Sequence, residues 1–102
     1  MQLIKKLSKM IDEELNDAEK YARCALNYRE ENSAIAEMFY SLSLEEMKHM
    51  QQLHNHVVKL IDEVQASGKT VPVGMMEMYE YIHEQQIEHS AEVRVLQSMF
   101  RE

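Results

Sequence analysis

Ser43-Leu44-Glu45-Glu46-Met47-Lys48-His49 lies midway along the longest helix-forming run of the chain. It sets a carboxylate and an imidazole three residues apart, so Glu46 and His49 leave one helical face. Apolar residues recur at 3–4 spacing on both sides: Ile35, Phe39 and Leu42 before it, Leu53, Leu60 and Val64 after it, with Met38, Val57 and Ile61 alongside. Glu46 and His49 occupy the two positions between Leu42 and Leu53 where this stripe demands apolar side chains. A carboxylate in an apolar seam is costly unless it is paired, protonated or bound to a cation.

The spacing predicts a helix over residues 34–67, roughly 50 Å long at 1.5 Å per residue. Asn32 or Ser33 caps its start, because a short side-chain oxygen accepts from the orphan N–H groups there. Gly68 follows as the residue that adopts the left-handed conformation past a helix end. Upstream, a helix over residues 2–30 carries Ile4, Leu7, Ile11, Ala18, Tyr21, Ala25 and Tyr28 at 3–4 spacing. The position between Ile11 and Ala18 is Glu14, a second carboxylate in an apolar stripe. Downstream, residues 68–74 hold both glycines and the single proline, Pro72, and read as the only obvious loop. A third helix over residues 75–101 has an apolar face centred on Ile82, Val93 and Phe100, beside Met75, Met78, Tyr79 and Leu96.

The chain has 102 residues, enough for one domain with a small core. No repeat, low-complexity tract or second domain interrupts it. Good helix formers dominate, and short connections make neighbouring helices antiparallel. The expected fold is all-α: an antiparallel helix 1–helix 2 hairpin plus a third helix, in a single domain over residues 1–102. The net charge is −7, from 18 acidic and 11 basic side chains without a basic stripe, which argues against nucleic acid as a partner. The single cysteine, Cys24, forms no internal disulfide and no thiolate cage, and reads as a small buried residue in a protein of the reducing cytosol. No unbroken apolar stretch suggests a signal peptide or a membrane span, and a cytoplasmic chain with no membrane partner is expected.

Glu-x-x-His on one helix and a lone Glu on a facing helix is the donor set of carboxylate-bridged di-metal bundles. Carboxylates bridge two hard ions and offset their charge, and a neutral imidazole completes each shell. Glu14, Glu46 and His49 are therefore the candidate metal ligands. Glu80–His83 repeats the spacing but falls to the side of the helix 3 stripe, and reads as an accident.

The stretch 43–49 resembles the second helix of bacterioferritins and rubrerythrins, and Glu14-Leu15-Asn16-Asp17-Ala18-Glu19-Lys20-Tyr21 resembles their first helix, across about residues 4–64. The resemblance implies a ferritin-like fold, a di-iron centre held by Glu14, Glu46 and His49, and ferroxidase or peroxide-scavenging activity. Manganese or zinc would also suit these donors. Tyr21, seven residues after Glu14, corresponds to a tyrosine near the metals and orients a ligand carboxylate there; the other reading is a core aromatic with a wet tip.

A full ferritin-like chain repeats the helix pair, and this one has only one further long helix. Paired rubredoxin cysteines are absent, and no tail of the kind that directs encapsulated ferritins to a shell follows Phe100. The missing half-site is expected from a second copy, as in the encapsulated ferritins, so that dimerisation completes a four-helix bundle and the assembly is at least a dimer. A helical dimerisation module with a structural or vestigial metal site is the alternative.

Other polar residues carry weaker expectations. His89, with Gln86 one turn before it, reads as a hydrogen-bonded interface histidine, with a place in the metal shell as the other reading. Glu84, Glu88 and Glu92 form a solvated flank of helix 3 or an ion entry path. His54 and His56 carry no assignment, although His56 is the nearer to the stripe. Several of the nine methionines are expected to line flexible contacts between subunits.

Overall fold

In a computed structural model describing residues 2–102, the chain forms three helices, α1 (Gln2–Tyr28), α2 (Ser33–Ala66) and α3 (Met75–Phe100), with no strand among the described residues. The molecule is a rod of 56 × 18 × 18 Å. No helix is long and apolar enough to cross a membrane among the described residues.

Local chemistry sets the helix ends. Asn32 has extended backbone angles and its side-chain oxygen accepts from the Ile35 N–H at 3.1 Å, so Asn32, not Ser33, is the cap of α2. Gly68 and Gly74 both have positive φ (+71° and +81°), a conformation that a side chain would strain. They bracket the turn containing Pro72 that reverses the chain from α2 into α3.

α1 and α2 pack as an antiparallel pair along a seam of small residues. Ala18, Ala22, Ala25 and Ala36 are fully buried, and small side chains let neighbouring backbones approach closely. The core is completed by Ile4, Ile11, Leu15, Met47, Met50, Val57 and Ile61 from the pair and Val93 from α3. α3 lies mainly on α1, tied to it by Gln86, which donates to the Ser8 carbonyl and to Asp12, each at 3.0 Å. At its C-terminal end Arg101 pairs with both carboxylate oxygens of Glu37 (2.9 and 3.1 Å) and stacks over Tyr40.

The buried stripe of α2 is Ala36, Ser43, Met47, Met50, Val57 and Ile61, which keeps Val57 and Ile61 of the expected set and is otherwise displaced to one side of it. Phe39, Leu42, Glu46, Leu53, Leu60 and Val64 are half-buried, and Ile35 and Met38 are exposed. On α1 the same division holds. Ile4, Ile11, Ala18 and Ala25 are buried with Ser8, Leu15 and Ala22, whereas Leu7, Glu14 and Tyr21 are half-buried and Tyr28 is exposed. The hairpin thus has two apolar faces, and α3 covers only one. On α3, Val93 and Phe100 are buried as expected, but so are Gln86 and Gln97, while Ile82 is half-buried and Met78 exposed.

Asn32→Ala should cost about 1 kcal/mol of stability by removing the α2 cap, whereas Ser33→Ala should be near neutral. Urea unfolding of the two variants checks this; an equal loss from both would place the cap elsewhere.

Candidate metal centre

Glu14, Glu46 and His49 converge: one donor atom from each lies within 4.8 Å of the other two. Each immediately precedes a buried residue, Leu15, Met47 or Met50, so the three side chains emerge beside the core and not within it. His49 Nδ1 is 3.6 Å from both Glu14 Oε2 and Glu46 Oε1. That is too long for a hydrogen bond. It is close to the spacing of about 3.0–3.4 Å expected between donors each about 2.1 Å from one ion. The carboxylate side chains are about a quarter exposed or less (24% and 18%), and the imidazole, 54% exposed, forms the rim.

The electrostatics of the three side chains by themselves are unfavourable. Glu14 Oε2 is shut off from water and, with Glu46 ionised, has no hydrogen-bond donor. The Glu46 carboxyl is pushed up from its ordinary 4.5 to about 7. The main cause is that its proton hydrogen-bonds to Glu14; burial and the Glu14 charge add to the shift, and His49 opposes it. Two carboxylates this close are stabilised by a shared proton or by a cation. The donor set, two carboxylates and an imidazole, suits a divalent transition metal.

The flank that carries these donors faces away from α3. α3 meets α1 on the side of Asp12 and Glu19, and Glu14 lies about 200° around the helix from Asp12 at 100° per residue. Accordingly α3 adds no donor to the cluster. His89 Nε2 instead bonds to Glu19 Oε1 at 2.7 Å, the interface histidine of the first reading. Glu19 is held below the usual carboxylate range, chiefly by its bond to Arg23 and then by His89. Glu84, Glu88 and Glu92 are exposed; the last two line an open acidic groove with Asp12, Glu19 and His89. Tyr21 lies two turns from Glu14 on the same flank, stacked on Phe39 with ring centroids 6.2 Å apart. No hydrogen bond joins it to the three donors among the described residues. Cys24 is free and half-buried.

One polar feature escaped the sequence reading. Glu80 is exposed, so Glu80–His83 is not a ligand pair, but His83 stacks between Tyr79 and His54, at centroid distances of 5.8 and 4.8 Å. Burial, and then the His83 charge, lower the pKa of His54. Its position four residues after Met50, on the buried stripe of α2, was the available signal. His56 is exposed.

The raised Glu46 pKa has a sign that can be measured. The folded chain holds this proton more tightly than the unfolded chain, so the stability gained is complete below the unfolded value of about 4.5 and is lost as pH rises through about 7. Metal-free protein should therefore melt at progressively lower temperature between about pH 5 and about pH 8. Glu46→Gln, which cannot ionise, should flatten this profile, and a divalent cation at the upper pH should restore the melting temperature. A flat wild-type profile would remove the coupling between Glu14 and Glu46. Comparison with family models, with curated proteins and with solved structures returns no match to this chain.

Proposed function

We propose that this chain is half of a carboxylate-bridged di-metal protein that binds divalent iron and supports its oxidation by oxygen or peroxide, with two copies completing the centre. The observation that carries this reading is the orphaned, water-excluded Glu14 Oε2 beside Glu46 and His49, on an apolar face that α3 leaves uncovered. Once Glu46 is ionised, burial without a hydrogen-bond donor is unfavourable for this carboxylate oxygen unless a cation approaches it.

One chain offers three donors, too few to hold two ions. Leu7, Tyr21, Leu42, Leu53 and Leu60 share the open face with the donors and remain half-buried in the single chain. Pairing two hairpins through this face about a two-fold axis removes these side chains from water. The combined set is then two Glu14, two Glu46 and two His49. The carboxylates offset the charge of the ions, and the neutral imidazoles complete their shells without adding charge. Bound iron supplies the change between the ferrous and ferric states. Tyr21, on the same face, is the candidate to orient a ligand carboxylate once the partner encloses it. Manganese or zinc also suit these donors.

The uncovered apolar face by itself favours the second reading, a helical dimerisation module whose metal is structural. Iron oxidation separates the two. Glu46→Ala and His49→Ala should each lower the rate of Fe(II) oxidation by at least about tenfold at unchanged helicity, while Glu80→Ala should leave it as in the wild type. Wild-type rates in both ligand variants would overturn the metal centre. Metal binding without oxidation in the wild type would leave the structural role. Mixing wild type with excess Glu46→Ala/His49→Ala chain tests the shared site: activity per wild-type chain should fall as subunits exchange, and a constant value would assign a complete site to each chain.

A further inference from the structure

On the metal-centre reading above, we propose that Ser43 and Gln97 are positioning residues, a buried polar node through which α3 sets the axial register of α1 against α2 and so the meeting of Glu14 with Glu46. Ser43 is fully buried, and its Oγ donates to the Ala18 carbonyl at 2.7 Å while accepting from Gln97 Nε2 at 2.9 Å. All three helices are thus joined at one hydroxyl. A helical serine commonly turns back to the carbonyl one turn earlier on its own helix; this one crosses to the neighbouring helix.

The node stands one turn from the donors. Glu46 is three residues beyond Ser43 along α2, and Glu14 is four residues before Ala18 along α1. Because the helices are antiparallel, these steps run the same way along the rod, by about 4.5 and 6 Å at 1.5 Å per residue. A slip of α2 by one residue moves each donor by about 1.5 Å along the axis and turns it by about 100°. That takes Glu46 away from Glu14.

Apolar burial opposes a full one-residue slip but tolerates smaller displacements, since methionines such as Met47 and Met50 repack readily. A hydrogen bond between buried groups is strict in distance and angle. Buried polar groups that satisfy one another contribute little net stability but specify register. Gln97 carries α3 into this seam, whereas Gln86 and His89 bind α3 to α1 alone.

The test compares Ser43→Ala with the double variant Ser43→Ala/Gln97→Leu, in the full chain. Ser43→Ala leaves the Gln97 amide buried without its partner and should lower both melting temperature and Mn(II) affinity. The double variant replaces the node with apolar groups and should recover most of the melting temperature. Its Mn(II) affinity, by equilibrium titration, should stay about tenfold below wild type. A crystal structure of the metal-free double variant should show the donors of Glu14, Glu46 and His49 no longer within 4.8 Å of one another. Recovery of affinity together with stability, or donors still within that distance, would overturn the positioning role. If the wild type binds no Mn(II), the metal-centre reading fails, and the donor separation in the metal-free variant alone decides whether the node sets the register.

Discussion

The close antiparallel approach of α1 and α2 is the constraint on which the other features depend. Ala18, Ala22, Ala25 and Ala36 leave little side chain between the backbones they separate. At that distance a hydroxyl on α2 reaches a carbonyl on α1, as Ser43 does at Ala18. The same proximity lets Glu14 and Glu46 interact across the seam, although larger residues would hold their helices further apart. Helix packing therefore acts twice: it excludes water from the core, and it brings together two like charges that would separate on an unconstrained chain.

The location of those charges decides their chemistry. A carboxylate at the depth of Leu15 would carry a prohibitive desolvation cost, and one on the outer surface would keep its ordinary proton affinity. Glu14 and Glu46 lie between these limits, each one residue from a core position. The hydrogen bond of its proton to Glu14, partial burial and the Glu14 charge together raise the Glu46 pKa to about 7. His49, about half exposed, stands at the rim of this carboxylate pair.

α3 contributes from a distance. It covers the face of the hairpin opposite the donors, and it reaches the seam through Gln97, which donates to Ser43. At the far end, Arg101 grips Glu37 and Tyr40 and ties the last turn of α3 to the first turns of α2. Covering one face while leaving the other apolar and half-buried separates the element that stabilises the single chain from the surface on which pairing is proposed. The stacked His54, His83 and Tyr79 lie on the covered side, apart from the donors.

Helix identity and helix ends were legible in the residues, because they depend on neighbours in sequence: Asn32 or Ser33 at the start of α2, Gly68 past its end, and the loop that holds both glycines and Pro72. Glu14, Glu46 and His49 were also legible, since a charge in an apolar repeat stands out whatever the repeat packs against. The repeat alone did not say which apolar face is the core. Ile4, Ile11, Ala18 and Ala25 belong to both stripes of α1, and a period near 3.6 fits Leu7, Glu14 and Tyr21 as well as Ser8, Leu15 and Ala22. Only the docking of α3 made one stripe the interior and the other an open face. The partners of His83, His89 and Gln97 were settled in the same step, because contacts between helices, such as His83 with His54, Gln97 with Ser43 and His89 with Glu19, depend on how whole helices are placed and leave no local periodic signal.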